Sequence, residues 1–491
     1  MNYIRNAFLG SAALLVAATG AQAADMMMEV KAPREPVYRC DITGFIELPG
    51  TDICFKVGGF ARLVVVGAQD NWFGDAFYRP DHIIPDGHTL IDRLQMYGQG
   101  RVNFDARTST EYGTVRAFVE LQATDDDTRT GGAANLRHAF VQFGNWTFGK
   151  TWSTFLHLDS SATTTDPYVI IGDNFMRRNQ IRYTQSFGNG FSVSVAVEDQ
   201  EYTTPISVNA GGAGLLYIGP PGGPTLYPAG PLIPSLSAVN DRNSMPDIVA
   251  NIRVDGDWGN AQLSGAIHNN QFRNVTVGFP PQAAPVQGNQ TDSEIGWAAL
   301  FGLVINTPSI GDGDFFSFKA IYTDGAHQYF QDSFGGAGIG GGGVVNTIWG
   351  QCTPGAPALG NCIVDTVTTW SVLAGFTHNW TPTFNSTLGG GYGSVDVPKV
   401  LTTYGPAVPF ALGTTGTADL DTKFWQVYLD FAWTPVPRTT FQVDLVYGNA
   451  DYNYPQWNGA NNCVGPVAVC GPLGSDDDGA FSAAFQVTRS F

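Results

Sequence analysis

The 491-residue chain has no internal run of eighteen or more apolar residues, so it offers no transmembrane helix, which needs about 20. It is also short of charge. Asp, Glu, Lys and Arg make up 14% of it, against roughly 25% in ordinary soluble domains. A chain of this length with so few charges has little with which to solvate a large globular surface. The scarcer sign is positive: 25 basic against 43 acidic residues, a formal net charge of −18. That excludes a nucleic-acid partner, which requires a basic patch. No Gly-x-Ser-x-Gly elbow is present and only seven histidines exist, which leaves an enzymatic reading without a nucleophile motif. The six cysteines come with no Cys-x-x-Cys or His-x-x-x-His spacing, so zinc has no ligand set. Nothing in the sequence calls for a cofactor or a metal.

What is present is alternation. Mean hydropathy is near zero (−0.05), the average expected when one side of each strand faces lipid and the other faces water. From Arg93 to Arg107 one parity reads Arg93, Gln95, Tyr97, Gln99, Arg101, Asn103, Asp105; the other reads Leu94, Met96, Gly98, Gly100, Val102, Phe104, Ala106. In an extended chain those two sets stand on opposite faces. The final strand repeats the pattern with Phe481, Ala483, Phe485 and Val487 against Ser482, Ala484, Gln486 and Thr488.

Short polar turns at Gly144-Asn145, Gly188-Asn189, Gly256-Asp257, Thr381-Pro382 and 435–437 alternate with long connections rich in Gly, Pro, Asp and Asn. They divide the alternating segments into strands near 55–67, 93–107, 111–122, 136–143, 146–152, 178–187, 190–199 and 247–256. The second half gives 259–269, 293–305, 314–325, 368–380, 383–395, 421–434, 438–450 and 479–491. The result is an all-β, 16-stranded antiparallel transmembrane barrel with short periplasmic turns and long extracellular loops. Lipid supplies no hydrogen bonds, so the sheet must close on itself. Trp146, Trp258, Trp380, Trp433 and Tyr447 fall near strand ends, where interfacial aromatic girdles belong. A soluble β-sandwich would also alternate, but would bury its apolar parity in a core.

At the N-terminus, Arg5, the apolar stretch from Leu9 to Ala18 and Ala21-Gln22-Ala23 read as a signal peptide cleaved after Ala23. The layout is therefore signal peptide 1–23, a periplasmic segment 24–54 and the barrel 55–491. Export to an oxidising compartment suits disulfides. Six cysteines allow fifteen pairings. The local set, Cys40–Cys54, Cys352–Cys362 and Cys463–Cys470, is the economical choice among them. Asp125-Asp126-Asp127 and Asp476-Asp477-Asp478 read as solvated loops, with a divalent cation bridging lipopolysaccharide phosphates as the alternative. The Gly-x-Gly-x-x-Gly at 336–341 has no following helix pattern and is no dinucleotide site.

Several stretches resemble the trimeric general porins of Gram-negative outer membranes, most closely the alphaproteobacterial group. They are Tyr38-Arg39-Cys40-Asp41 with Cys54-Phe55-Lys56-Val57-Gly58-Gly59-Phe60-Ala61-Arg62; Arg137-His138-Ala139-Phe140-Val141-Gln142-Phe143-Gly144 with Thr147-Phe148-Gly149-Lys150-Thr151; and the ending Ala484 to Phe491. The resemblance implies a homotrimer with one pore per subunit. It also implies a third loop folded into each pore, and a terminal Phe491 read by the barrel-insertion machinery. That loop would run from Ser153 to Arg177 and bring Asp159, Asp166 and Asp173 towards the narrowest point. Arg62, Arg93, Arg101, Arg116, Lys150 and Arg182, all assigned to the inward parity, would form the facing basic wall. Together these give a passive diffusion channel for small hydrophilic solutes and ions. A solute-selective channel is the alternative, and a barrel-based hydrolase or adhesin is a more distant one, with His138, His268, His327 and His378 as its only candidates.

Overall fold

The computed structural model describes residues 40, 42–68, 93–125, 133–165, 170–200, 245–278, 292–330, 362–396, 422–452 and 480–491, with short strand pieces between them. Residues 1–39, and so the signal-peptide reading, lie outside the described residues. Sixteen long strands form one antiparallel ring: β1 Cys54–Ala68, β2 Arg93–Thr110, β3 Gly113–Asp125, β4 Ala133–Phe143, β5 Trp146–Trp152, β6 Arg177–Gly188, β7 Phe191–Glu198 and β8 Asp247–Gly256. The second half is β9 Gly259–Gly278, β10 Asp292–Asn306, β11 Phe315–Asp324, β12 Thr368–Thr381, β13 Phe384–Asp396, β14 Thr422–Val436, β15 Thr439–Tyr452 and β16 Ala480–Ser490. Each strand pairs with its sequence neighbours. Closure comes from β1, which pairs with β2 on one side and β16 on the other. Phe491 completes that seam, its N–H donating to the Gly59 carbonyl at 3.0 Å.

All sixteen expected strands are found. The largest difference is β9, expected to stop near 269 but running to Gly278. Its extra length pairs with Ser235–Asn240 and Val286–Gln287 beyond the rest of the wall.

Exposure decides between barrel and sandwich. The large apolar side chains of alternate parity point outward, with Leu94 at 72% and Leu388 at 64% exposure, while Gln99, Glu120, Gln262 and Lys319 are buried. A water-soluble fold inverts that order. Trp146, Trp258, Trp380 and Trp433 ring the short-turn end on the outside, and Trp297, Tyr322, Trp425 and Tyr447 ring the other end. Trp425 and Trp433 on β14 are eight residues apart. At about 3.3 Å per residue and a tilt of about 40°, they are separated by roughly 20 Å, close to the ~25 Å apolar band of outer-membrane barrels.

The Cys40–Cys54 disulfide ties the N-terminal piece to the foot of β1, where Ile46–Glu47 adds two residues of pairing. Backbone register places Cys352 opposite Cys362 and Cys463 opposite Cys470.

Candidate functional site

Two groups of side chains occupy the inner face. The first is basic and sits on β1 to β6. Arg62 of β1 donates to Gln486 of β16 at 2.8 Å. Arg101 of β2 donates twice to Gln122 of β3, at 3.1 and 2.6 Å, and lies 3.5 Å from Glu120. Arg107 and Arg116 converge on Asp105, at 2.8 and 2.9 Å. Arg137 enters by a β-bulge. Glu120 faces His138 and Leu121 faces Leu136, so Arg137 is the extra residue, and it turns inward to pair with Glu120 at 3.3 Å. Arg182 of β6 shares its face with the buried Gln180 and Arg178 and feels the field of Glu198.

Several of these guanidiniums are stacked on rings. Arg101 lies 4.6 Å from the centroid of Phe60, Arg116 4.8 Å from Phe118, and Arg177 3.8 Å from Trp152. The ring contact helps to hold each guanidinium in place, while its N–H groups donate to neighbours: Arg101 to Gln122, Arg116 to Asp105 and Gln142, and Arg177 to His138. Asp105 and Glu120 lie deeper than Arg101, Arg107 and Arg116, though no deeper than Arg137. Asp105 and Glu120 are 6% and 8% exposed, whereas the side chains of Arg101, Arg107 and Arg116 retain 22%, 31% and 24%.

Lys150 is placed elsewhere. It pairs with Ala139 and Asn179, on the face of Phe148 and Ile181, which point outward. The sequence carries the reason: Trp146, Phe148 and Lys150 share one parity, so the lysine belongs with the apolar set rather than with the lumenal arginines. Arg93 faces Ala68 in the register, and its side chain lies outside the described residues.

The second group is the connection between β5 and β6, residues 153–176, which includes a short 3-10 turn at Leu158–Ser160. This segment touches the inner face of β8 through β15. The Leu156 carbonyl accepts from Gln262 of β9 at 2.9 Å, and the Thr163 carbonyl from Gln442 of β15 at 2.8 Å. The Thr165 amide donates to Asp444 of β15, and the Ile171 amide to Gln426 of β14 at 2.8 Å. Asp444 stands directly opposite Asp430 in the register. Two glycines make the fit possible. A Cβ at Gly302 would overlap the His157 ring, and one at Gly391 would overlap the Ile171 carbonyl. Apolar packing adds Phe155, Leu156 and Met176 against Val249, Leu300 and Tyr329, and Ile170 against Leu373, Tyr428 and Val446. Each fully buried side chain of this size contributes roughly 1.5–3 kcal/mol.

The carboxylates of this segment are engaged. Asp159 meets Arg253 of β8 at 2.5 Å, and Arg253 also holds Asp255. Asp173 is buried with Lys319 of β11 at 2.7 Å, while its second oxygen accepts the Ala162 N–H at 3.0 Å. Asp166 lies outside the described residues. His157 contacts Ser160 and Asn260, each at 2.8 Å. Burial, and then the Arg253 charge, push its imidazole down to about 4.

Sequence reading missed Arg107, Arg137, Arg177 and Arg178 on one side and Lys319 and Arg253 on the other. The Arg177-Arg178 doublet at the exit of the connection was a usable signal. The bulge that turns Arg137 inward was not, and neither was the pairing of Asp173 with a lysine 146 residues away.

Compared with known proteins, residues 25–465 match a family model described as the porin subfamily. Porin Omp2a of Brucella canis is 30% identical over 219 residues, which is 41% of this chain and 59% of that protein's length. Porin Omp2b of Brucella melitensis is 28% identical over 281 residues, 52% of this chain and 63% of its own length. Among solved structures, the outer membrane channel DcaP of Acinetobacter baumannii superposes with a TM-score of 0.56 at 18% identity, covering 89% of this chain and 97% of that one. At that identity the likeness concerns the fold.

Proposed function

This chain belongs to the porin subfamily, and from that premise we propose that it is a passive diffusion channel for small hydrophilic solutes and ions across the outer membrane. The observation that carries this reading is the inverted barrel: apolar side chains exposed outside, polar and charged ones lining the interior. The short turns and the segment 24–54 face the periplasm, and the long loops face the exterior beside lipopolysaccharide. Three copies assemble, with one pore each, and Phe491 serves the insertion machinery. Local bridges Cys352–Cys362 and Cys463–Cys470 pin two of the outer loops, in keeping with the opposed backbone positions.

In this reading the 153–176 segment crosses the lumen and narrows it. It occupies the side of β8 to β15, so the remaining passage runs between it and the arginines of β1 to β6. The described carboxylates of the segment, Asp159 and Asp173, are paired with Arg253 and Lys319, so the charged wall facing the passage is that of the β1 to β6 guanidiniums, whose field is strengthened by low-dielectric walls. Such a field orients hydrated polar solutes and disfavours apolar ones, which must displace ordered water. No catalysis is part of this function. Ser160, beside His157, is 1% exposed and cannot meet a substrate.

The test is insertion of the purified full chain into planar bilayers. Discrete conductance steps, with liposome permeation that falls as solute size rises, are the expected outcome. A protein that inserts yet passes neither ions nor small sugars would overturn the proposal.

A further inference from the structure

We infer that Asp430 and Asp444 share a single proton, and that this proton latches the 153–176 segment to β14 and β15, so that alkali loosens the latch. The two aspartates stand directly opposite each other on paired strands. They are 1% and 2% exposed, and their carboxyls lie within hydrogen-bonding reach of each other. An ionised carboxylate accepts hydrogen bonds and donates none, so a bond between two carboxyls requires a proton on one of them. Like charges facing each other across a strand pair repel, and a buried charge without a counter-ion takes up a proton instead.

The surroundings supply no counter-ion. Among the described residues no lysine, arginine or histidine acts on either carboxyl. On β13 Asp430 faces Thr387, and on β16 Asp444 faces Ala484. The Tyr428 hydroxyl senses Asp430, Asp444 and Asp173, and Asp173 is matched by Lys319. Arg62 donates to Gln486, so two amides, Gln486 and Gln442, stand between its guanidinium and Asp430. The hydrogen bonds that are made leave one acceptor over. Gln442 donates to Asp430 Oδ2 at 2.7 Å, and the Thr165 amide donates to Asp444 Oδ2. Asp444 Oδ1 is buried and receives no N–H or hydroxyl donor, which leaves it to accept the proton that Asp430 carries.

The pair is also where the segment is fastened. Gln442 gives its amide to the Thr163 carbonyl as well as to Asp430, and Asp444 holds the Thr165 amide. One proton therefore sets the position of both attachments. When it is lost, two adjacent charges push the carboxyls apart, and Thr163 and Thr165 lose their fixed partners. The seated segment binds one proton more than the released one, so its hold weakens as pH rises. That sign is opposite to the one expected of His157, whose seat weakens as pH falls. The shared proton stands on the geometry alone, whereas its effect on current rests on the diffusion-channel reading.

The experiment uses the full chain and two readouts. Infrared difference spectra of wild type against Asp430→Asn at neutral pH should show one C=O stretch of a protonated carboxyl, absent from the variant and lost from wild type on alkaline titration. In planar bilayers, channel noise should rise several-fold as pH is raised. Asp430→Asn donates to Asp444 through its amide and cannot ionise, so it should keep the quiet, neutral-pH behaviour throughout. Heat-modifiable migration in gels reports that the variant still forms a barrel; if it does not, Asp444→Asn carries the same test. A spectrum without that band overturns the shared proton, and a chelator that then loosens the wild-type channel assigns the pair to a bound cation. A rise in noise that persists in the folded variant, or a current that ignores pH while the band titrates, overturns the latch. Absence of any conductance removes the channel reading, and the infrared band still decides the proton.

Discussion

The inner wall has two halves built from the same strand chemistry and put to different ends. From β8 to β15 the inward side chains are covered by the 153–176 segment, and their charges are spent on it: Lys319 on Asp173, Arg253 on Asp159, Asp444 on the Thr165 amide. From β1 to β6 four inward guanidiniums share two carboxylates, Arg101 and Arg137 on Glu120 and Arg107 and Arg116 on Asp105, and Arg101 and Arg116 also lie over ring faces. A buried ion pair fixes position but has little charge left to act on a passing solute. A ring-stacked guanidinium keeps both its place and its field. In the proposed channel the two halves would divide the labour between holding the aperture and facing the solute.

The largest expected effect breaks the holding half. Lys319→Met leaves Asp173 buried without its cation, a change that costs about 3–5 kcal/mol. The segment should leave its seat, seen as larger and noisier single-channel steps and as a lower unfolding temperature in detergent. If Lys319→Met leaves conductance unchanged, the pair does not hold the aperture. Gly391→Leu attacks the same seat sterically by pushing on the Ile171 carbonyl, with overpacking costs of about 1–3 kcal/mol. Its expected signature is increased conductance with the barrel itself intact.

The division also shows what could be read before the fold was seen. All sixteen strands were legible, because lipid on one side and water on the other force period two on every spanning segment. The reading stopped at 269 for β9 because the extension to Gly278 pairs with Ser235–Asn240 outside that constraint. Lys150 was misplaced although Trp146 and Phe148 carried its true parity. Arg137 could not be found, since one bulge moves a residue to the other face. Pairing across the lumen was hidden for a different reason: Asp173 and Lys319, or Thr165 and Asp444, meet only after the ring has closed.

A smaller effect concerns acidity. His157 is fully buried in the holding half, and its folded value of about 4 lies below the ordinary 6.5. A neutral imidazole is thus favoured in the seat, and the released segment binds a proton more readily than the seated one. The seat keeps this stabilisation in full above pH 6.5 and loses it progressively as pH falls towards 4, by up to about 3 kcal/mol. Channel noise should rise over that window, and His157→Gln should flatten the response. Noise that rises equally in His157→Gln would assign the effect to another group.

The smallest structural effect is expected on the facing half, and that is what makes the comparison sharp. Removing the cation of Arg62 by Arg62→Gln deletes a hydrogen bond to the neutral Gln486 and strands no carboxylate. Its cost should be about 1 kcal/mol or less, several-fold below that of Lys319→Met, although each substitution removes one positive charge from the same barrel. Unfolding temperatures measured side by side in one detergent decide the matter. Equal losses would mean that both halves are scaffolding, and that the arginines of β1 to β6 are there for the barrel rather than for what passes through it.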